Sequence, residues 1–319
     1  MRVPLPAAMI TMFRAMRAST AKAAIIGGCL LALLLLGGCS AVRVGYNQAP
    51  TLAWWWLDGY MDFDATQAPK VKDALARWFA WHRSTQLPDY ADLLAAAQQQ
   101  VMQPATPAQV CRWNDDLRVR LNAALAQGVP LAADLLPLLK PAQLAQLERR
   151  YGKSNLEFEE DFLQQPDERQ KAAVKRTIDR AEMLYGRLDD NQRRLVAAGV
   201  AASPFDPAAW YAERQALQSQ TLQTLARLTA GGPGRADRDS NLAGLKALAE
   251  RVLRAPPGPY RDYQQRLTDY NCEFIARLHN STTPKQRLAA RDRLHGWEED
   301  LRVLAAQKPD AAPRTDMQP

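Results

Sequence analysis

The chain has 319 residues, of which 47% are hydrophobic and 24% are charged. This balance is typical of a globular protein and argues against a disordered chain, a collagen-like repeat or a polytopic membrane protein. The formal net charge of +7 would suit nucleic-acid binding, but the first 38 residues hold four bases and no acid, which leaves 37 bases against 34 acids in the rest. The basic excess is therefore mostly a targeting signal, and we predict no nucleic-acid partner.

An uncharged run from Ala23 to Leu36 follows these bases. A membrane-spanning helix needs about 20 apolar residues, so this shorter run is typical of the central region of a signal peptide. It ends in Leu36-Gly37-Gly38-Cys39, which resembles the lipobox of bacterial lipoproteins, because small residues admit the peptidase and the following thiol accepts diacylglycerol. We predict a signal peptide over residues 1–38 and lipidation of Cys39, the first residue of the mature chain.

Two alternatives to this processing site remain. Cys29 also follows two glycines, but it has almost no apolar run before it, so Cys39 is preferred. An uncleaved N-terminal anchor is the other alternative. The residue after Cys39 is Ser40 rather than aspartate, which resembles the sorting signal of outer-membrane lipoproteins in Gram-negative bacteria. We therefore predict a protein tethered by its lipid to the periplasmic face of the outer membrane, without spanning it.

Three consecutive tryptophans, Trp54, Trp55 and Trp56, begin 15 residues after Cys39. Because an extended chain covers at most about 3.6 Å per residue, they lie within roughly 55 Å of the lipid. Tryptophan favours the membrane interface, so one interpretation is a contact with the bilayer or with a partner. The favoured alternative is a first helix whose aromatic side chains fill the core, although three consecutive residues cannot all share one helical face.

Residue usage after the lipobox predicts an all-α fold. From Cys39 onward the chain has 35 Leu but only 12 Val and 2 Ile, and no stretch alternates as a half-buried strand does. Helix starts are marked by Thr106-Pro107-Ala108-Gln109 and Thr283-Pro284-Lys285-Gln286, each with a capping hydroxyl, a proline and a glutamine three residues after the cap. We predict an array or bundle of about ten helices after the signal peptide. Their predicted ranges are 67–83, 88–102, 107–127, 131–139, 141–164, 167–188, 207–229, 241–254, 259–280 and 284–306.

Two cysteines, Cys111 and Cys272, remain after processing and lipidation. The periplasm is oxidising, so we predict that they form a disulfide across 161 residues of chain. The alternative is two buried free thiols that pack as small apolar residues. Neither cysteine has the neighbours that a zinc site needs, and we predict no metal.

The glycine-rich segment Gly231–Gly234 is the one obvious flexible break. It either separates two subdomains or forms a surface loop, and a bridge from Cys111 to Cys272 would favour one compact unit. The predicted organisation is a signal peptide (1–38), a lipidated tether (39–52), a helical domain (53–229), a flexible loop (230–240), C-terminal helices packing on the same unit (241–306) and a disordered tail (307–319).

The three histidines offer little for catalysis. His82 continues an apolar stripe beside Trp81, which is typical of a hydrogen-bonded core histidine. His279 and His295 give only a faint metal signal and a helix-surface pair with Glu299. No nucleotide-binding, nucleophile-elbow or zinc-protease pattern is present, so we predict no catalytic residue and no cofactor.

Several short motifs follow the lipobox: Tyr46-Asn47, Trp54 to Tyr60, Trp81-His82-Arg83, Leu87-Pro88-Asp89-Tyr90, His279 to Pro284, Gln286-Arg287, Arg291 to Leu294 and Asp300-Leu301-Arg302. Together with the lipobox they resemble an uncharacterised proteobacterial lipoprotein family known only as a domain of unknown function. The resemblance implies an outer-membrane lipoprotein without an established activity, and no catalytic residue transfers from it.

Two functions stay open at this point. The leading hypothesis is a non-enzymatic scaffold or partner-binding module of the cell envelope. The alternative is an envelope hydrolase or transferase that acts on peptidoglycan or lipid. Two convergent carboxylates or two histidines in one pocket would favour the enzyme, and a filled core would favour the scaffold.

Overall fold

The computed structural model describes residues 41–230 and 237–307, and within these ranges the chain is helical and has no β-strand. This confirms the predicted all-α class. The signal peptide, Cys39, the Gly231–Gly234 segment and the tail from residue 308 lie outside the described residues. The α-helices are α1 (Ala41–Met61), α2 (Ala68–Trp81), α3 (Leu87–Gln100), α4 (Pro107–Leu135), α5 (Pro141–Phe162), α6 (Pro166–Tyr185), α7 (Asp190–Ala201), α8 (Pro207–Thr229), α9 (Arg238–Leu253), α10 (Pro259–Asn280) and α11 (Pro284–Ala306). A π-helical turn (His82–Gln86) joins α2 to α3, and a short 3₁₀ turn (Leu136–Leu138) follows α4.

Three elements differ from the predicted ones. The range expected as a tether is helical from Ala41 onward, as part of α1. Helix α7 was not predicted, although Asp189 caps it and its Gln192 completes the capping box. Helix α4 runs unbroken through Pro130, where the sequence predicted a gap. Buried Val129 and Ala133 flank that proline, so packing of this segment outweighs the hydrogen bond that a proline removes from a helix.

Helix starts that are distant in sequence are joined in pairs by the side chains of glutamines. Gln192 and Gln286 each occupy the third position of their helix, and each amide donates to the other's carbonyl oxygen, at 2.8 and 2.9 Å. Gln192 also donates to the Ser281 carbonyl (2.9 Å) and Gln286 to the Arg187 carbonyl (3.0 Å). The N-termini of α7 and α11 are therefore fixed to each other.

A second pair of glutamines joins two helix starts in the N-terminal half of the chain. Gln67 and Gln143 exchange two amide hydrogen bonds of 2.9 Å, with side chains that are almost fully buried. Gln67 also donates to the Leu138 carbonyl, and Gln143 donates to the carbonyls of Met61 and Asp62. In this way the turn between α1 and α2 is fixed to the start of α5.

In the described ranges, buried apolar side chains form three hydrophobic clusters between the helices. One lies between α6, α7 and α10, where Val196 and Phe274 are buried. Here Gly199 permits the close approach of α7 to α10, because a Cβ atom at this position would lie 2.2 Å from the ring of Phe274. A second cluster lies between α3 and α11, and a third surrounds Leu136, Leu147 and Leu225.

A disulfide between Cys111 of α4 and Cys272 of α10 confirms the predicted pairing. The two Cα atoms are 5.4 Å apart, within the range that a disulfide needs. Because the two cysteines lie on either side of the Gly231–Gly234 segment, the bridge ties the chain before that segment to the chain after it.

Among the described residues, one stretch, Pro107–Leu138, is long and apolar enough to cross a membrane by length and composition. This stretch contacts α2, α9 and α10 and carries the disulfide. By these contacts it is part of the helical body.

Candidate functional site

The first turns of α1 contact the helical body through a set of polar and aromatic side chains that we call the anchor-proximal cluster: Arg43, Tyr46, Asn47, His82, Arg83 and Asp300. Its centre is the pair formed by Tyr46 and His82, with 2.9 Å between the Tyr46 Oη and the His82 Nδ1. The His82 ring stacks on Trp78, with 4.9 Å between the ring centroids. His82 is thus a hydrogen-bonded histidine among aromatic rings, in agreement with the interpretation of its sequence context.

Burial sets the protonation states of this pair. Desolvation lowers the pKa of His82 from 6.5 to about 4, so the imidazole is neutral at pH 7. Desolvation also raises the pKa of Tyr46 to about 12, so its hydroxyl keeps the proton. A neutral imidazole carries its hydrogen on one ring nitrogen and accepts at the other, so Tyr46 donates to the His82 Nδ1 in the tautomer that carries the hydrogen on Nε2.

Arg83 joins three elements within the same cluster. Its guanidinium donates to the Leu304 carbonyl near the end of α11 (2.9 Å) and to the Asn47 side-chain oxygen on α1 (2.8 Å). It also lies 5.0 Å from the centroid of the Tyr46 ring, which is within the range of a cation–π contact. A planar guanidinium with several donors is well suited to hold a helix end and a side chain at once.

A buried ion pair completes the attachment of α1. The Arg43 Nε lies 2.8 Å from the Asp300 Oδ1, and the Asp300 side chain is only 8% exposed. Arg43, Tyr46 and Asn47 all lie within the first two turns of α1 and therefore within eight residues of Cys39. The cluster thus fixes the segment next to the predicted lipid anchor onto the π-helical turn and α11.

The pH dependence of stability provides a test of the neutral His82. Because its folded-state pKa lies below its ordinary value, His82 stabilises the fold above pH 6.5, and this contribution is lost as the pH falls toward about 4. We expect the His82→Gln variant, which retains an acceptor for Tyr46 but does not titrate, to lose less stability than the parent across this window. The measurement is the urea unfolding free energy of both proteins at several pH values between 6.5 and 4. Parallel curves for the two proteins would contradict this assignment.

His279 anchors a second, separate junction. Its Nε2 lies 2.7 Å from the Gln103 carbonyl, and its Nδ1 lies 2.9 Å from the Tyr185 hydroxyl. A carbonyl can only accept, so the Nε2 carries the hydrogen and the Nδ1 accepts from Tyr185. Burial lowers the pKa of this histidine as well. Both ring nitrogens are therefore occupied in joining α10 to α6 and to the segment before α4.

The three histidines have three different sets of partners. His295 lies on the exposed surface of α11, with its Nε2 3.4 Å from Glu299 and its Nδ1 3.8 Å from Glu298. In the part of the chain that the structure describes, no group of three His, Cys, Asp or Glu side chains could hold a metal ion. The structure does not bring together the histidines that the alternative of an enzyme would need.

The three tryptophans differ in their surroundings. Trp54 is partly buried, stacks on Phe63 with 5.8 Å between centroids, and has the Lys72 Nζ 4.6 Å from its ring centroid. Trp56 is 37% exposed and contacts Tyr60, whereas Trp55 is 58% exposed. Trp54 therefore packs against the body, and Trp55 does not belong to the core.

Two open grooves lie on the described surface. One, of about 390 Å³, lies between α2 and α4 and includes Asp73 and Asp134. These carboxylates pair with Arg77 (3.0 Å) and Arg238 (2.8 Å).

The other groove, of about 510 Å³, lies between the start of α1 and α11 and includes Asp292, Glu299 and Asp300. Asp300 pairs with Arg43 (2.8 Å), Asp292 pairs with Arg291 (2.8 Å), and Glu299 lies 3.4 Å from His295. Each carboxylate that lines the two grooves therefore has a basic side chain beside it.

Comparison with known proteins gives one match. A family model described as a family of unknown function (DUF6279) matches residues 59–240, more than half of the chain. No curated protein and no solved structure matches the chain. The matched range includes His82, Arg83 and Cys111, and it ends before α10 and α11, which supply Cys272 and Asp300.

Proposed function

Since the chain belongs to the family of unknown function DUF6279, whose description names no activity, we propose its function from its own residues: a lipid-anchored scaffold or partner-binding module. The anchor is the lipidated Cys39, and the location is the periplasmic face of the outer membrane of a Gram-negative bacterium. The lipobox and Ser40 support the anchor and the location. Acyl chains hold such a protein at a membrane because each buried methylene contributes about 0.8 kcal/mol.

The observation that carries this proposal is the attachment of α1 to the helical body. Only Ser40 separates Cys39 from the first residue of α1, and the anchor-proximal cluster fixes the first two turns of α1 through Arg43, Tyr46 and Asn47. A lipid attached here would therefore hold the body close to the membrane in one orientation. A fixed orientation suits a protein that presents the same surface to other envelope components.

The charged groups of the described surface favour a non-enzymatic role. The groove carboxylates Asp73, Asp134, Asp292 and Asp300 pair with arginines, and Glu299 lies 3.4 Å from the His295 Nε2. His279 uses both ring nitrogens in bonds to other elements, and His82 uses its Nδ1 for Tyr46 of α1. Such groups stabilise a fold and lack the free partner that acid–base catalysis requires.

Replacement of the lipidated cysteine tests the anchor. We expect Cys39→Ser to abolish incorporation of labelled fatty acid and to leave uncleaved precursor or soluble protein, because serine lacks the thiol that accepts diacylglycerol. Cys29→Ser is the matched control, since the same two glycines precede it, and it should incorporate label and fractionate with outer membrane as the parent does. A Cys39→Ser protein that is still labelled and still found in the outer membrane would contradict the proposal.

A further inference from the structure

Helix α1 has an exposed side that faces away from the helical body, and we call it the outer face of α1. It consists of Val44, Gln48, Thr51, Trp55 and Gly59, which recur every three or four residues and so share one side of the helix. All five are exposed, with Val44 at 46% and Trp55 at 58%. The partly exposed Trp56 lies at the edge of this face.

The outer face of α1 has no charged residue along its whole length. Helix α1 contains two charged side chains, and both make contacts within the body. Arg43 pairs with Asp300, and the Asp58 carboxylate accepts a hydrogen bond from the Phe63 amide at 3.1 Å. In a chain with 24% charged residues, an exposed helical face without charge differs from an ordinary solvated surface.

We infer that the outer face of α1 lies on the surface of the bilayer in which Cys39 is anchored, with Trp55 at the level of the lipid headgroups. This inference rests on the proposed lipidation of Cys39. Tryptophan is enriched at the membrane–water interface, and a helix that lies in this interface turns an uncharged face toward the lipid.

The position of the lipid anchor favours the bilayer, over a protein partner or a second copy, as the surface that covers the outer face of α1. Ala41 lies two residues from Cys39, so at most about 7 Å of extended chain separates the start of α1 from the lipidated residue. Trp55 lies 14 residues further along, about 21 Å at the rise of an α-helix. One side of α1 is bound to the helical body, so only its outer face is free to contact another surface. The lipid on Cys39 brings the bilayer next to the start of α1, and a helix that lies along this bilayer turns its uncharged outer face toward it.

Brominated lipids, which quench tryptophan fluorescence at short range, test this orientation. The lipidated full-length protein is incorporated into vesicles of phosphatidylethanolamine and phosphatidylglycerol that carry bromine near the headgroup. We expect quenching in the parent and about a twofold smaller quenched fraction in Trp55→Phe, which removes the indole at the interface. Trp210→Phe is the matched control, because Trp210 packs among Phe158, Phe162 and Phe205, and it should not lower the quenched fraction.

The outcomes separate this inference from the proposed function. The intact mass of the same preparation reports whether acyl groups are present. Acylated protein with equal quenching in the parent and in Trp55→Phe would overturn the orientation and leave the lipid anchor standing. A second copy or a protein partner covering the face would shield Trp55 from the bromine and give that same result. A preparation without acyl groups would overturn both.

Discussion

Replacement of Gln192 by glutamate is expected to lower the free energy of unfolding by about 3 kcal/mol. Glutamate keeps the oxygen that accepts from the Asp189 amide (3.0 Å), but it loses the amide group that donates to Ser281 and Gln286. The new carboxylate would face two acceptor oxygens at a site that is only 1% exposed. Only the Asp189 and Gln286 amides would donate to this carboxylate, and a buried charge that also faces acceptor oxygens is among the more destabilising changes that a single substitution makes.

Gln109→Glu provides the matched control for this prediction. Gln109 occupies the same third position in the capping box of α4, where its oxygen accepts from the Thr106 amide at 2.7 Å. Glutamate serves equally well in such a box, so we expect a change within about 0.5 kcal/mol. Both variants are measured by urea unfolding at neutral pH. Equal losses would show that the pairing of Gln192 with Gln286 contributes nothing beyond capping.

Removal of the disulfide is the second change with a large expected effect. The bridge closes 161 residues of chain, for which the chain-entropy model gives roughly 5 kcal/mol as an upper figure. Measured effects fall short of that figure, so we expect Cys111→Ala with Cys272→Ala to lower the unfolding free energy by about 3 kcal/mol. Alanine is chosen because Cys272 is buried, where a serine hydroxyl would add its own desolvation cost.

Two observations check the interpretation of that loss. The parent protein in the presence of a reductant should unfold at the same urea concentration as the double variant. Protein expressed in the periplasm, alkylated without reductant and then digested, should yield one peptide pair joined through Cys111 and Cys272. Recovery of both cysteines in alkylated form from most molecules would contradict the disulfide.

Local chemistry explains which parts of the fold could be predicted from the sequence. The starts of α4 and α11 were predicted at Pro107 and Pro284, because Thr106 and Thr283 cap their own helices through contacts only three residues away. The disulfide could be predicted from the number of cysteines that remain after processing and from the oxidising compartment predicted for them. Helix α7 could have been found from Asp189 and Gln192, which have the same capping-box spacing without the proline.

Other features depend on contacts between distant residues and could not be read from one sequence. The pairing of Gln192 with Gln286, 94 positions apart, exists only once α7 and α11 are adjacent. The continuation of α4 through Pro130 depends on burial of Val129 and Ala133. The spacing of residues along the sequence indicates neither the glutamine pairing nor the continuous helix.

The anchor-proximal cluster was also predictable only in part. Its residues Tyr46, Asn47, His82 and Arg83 lie in motifs of the sequence, and the apolar stripe around His82 predicts a hydrogen-bonded histidine. Their mutual contacts were not predicted, nor was the pairing of Arg43 with Asp300 across 257 positions. The tryptophans were considered as a group, whereas the helix separates Trp54, which packs on the body, from the exposed Trp55.

The intact mass of the mature protein, extracted from purified outer membranes, tests the proposed lipid-anchored scaffold most directly. We predict a chain that begins at Cys39 and carries the added mass of a diacylglyceryl group, with or without a further amide-linked fatty acid. Such a mass would place the lipid two residues before the helix that the anchor-proximal cluster fixes to the body. A mature chain that begins upstream of Cys39, or one that begins there without acyl groups, would contradict the account.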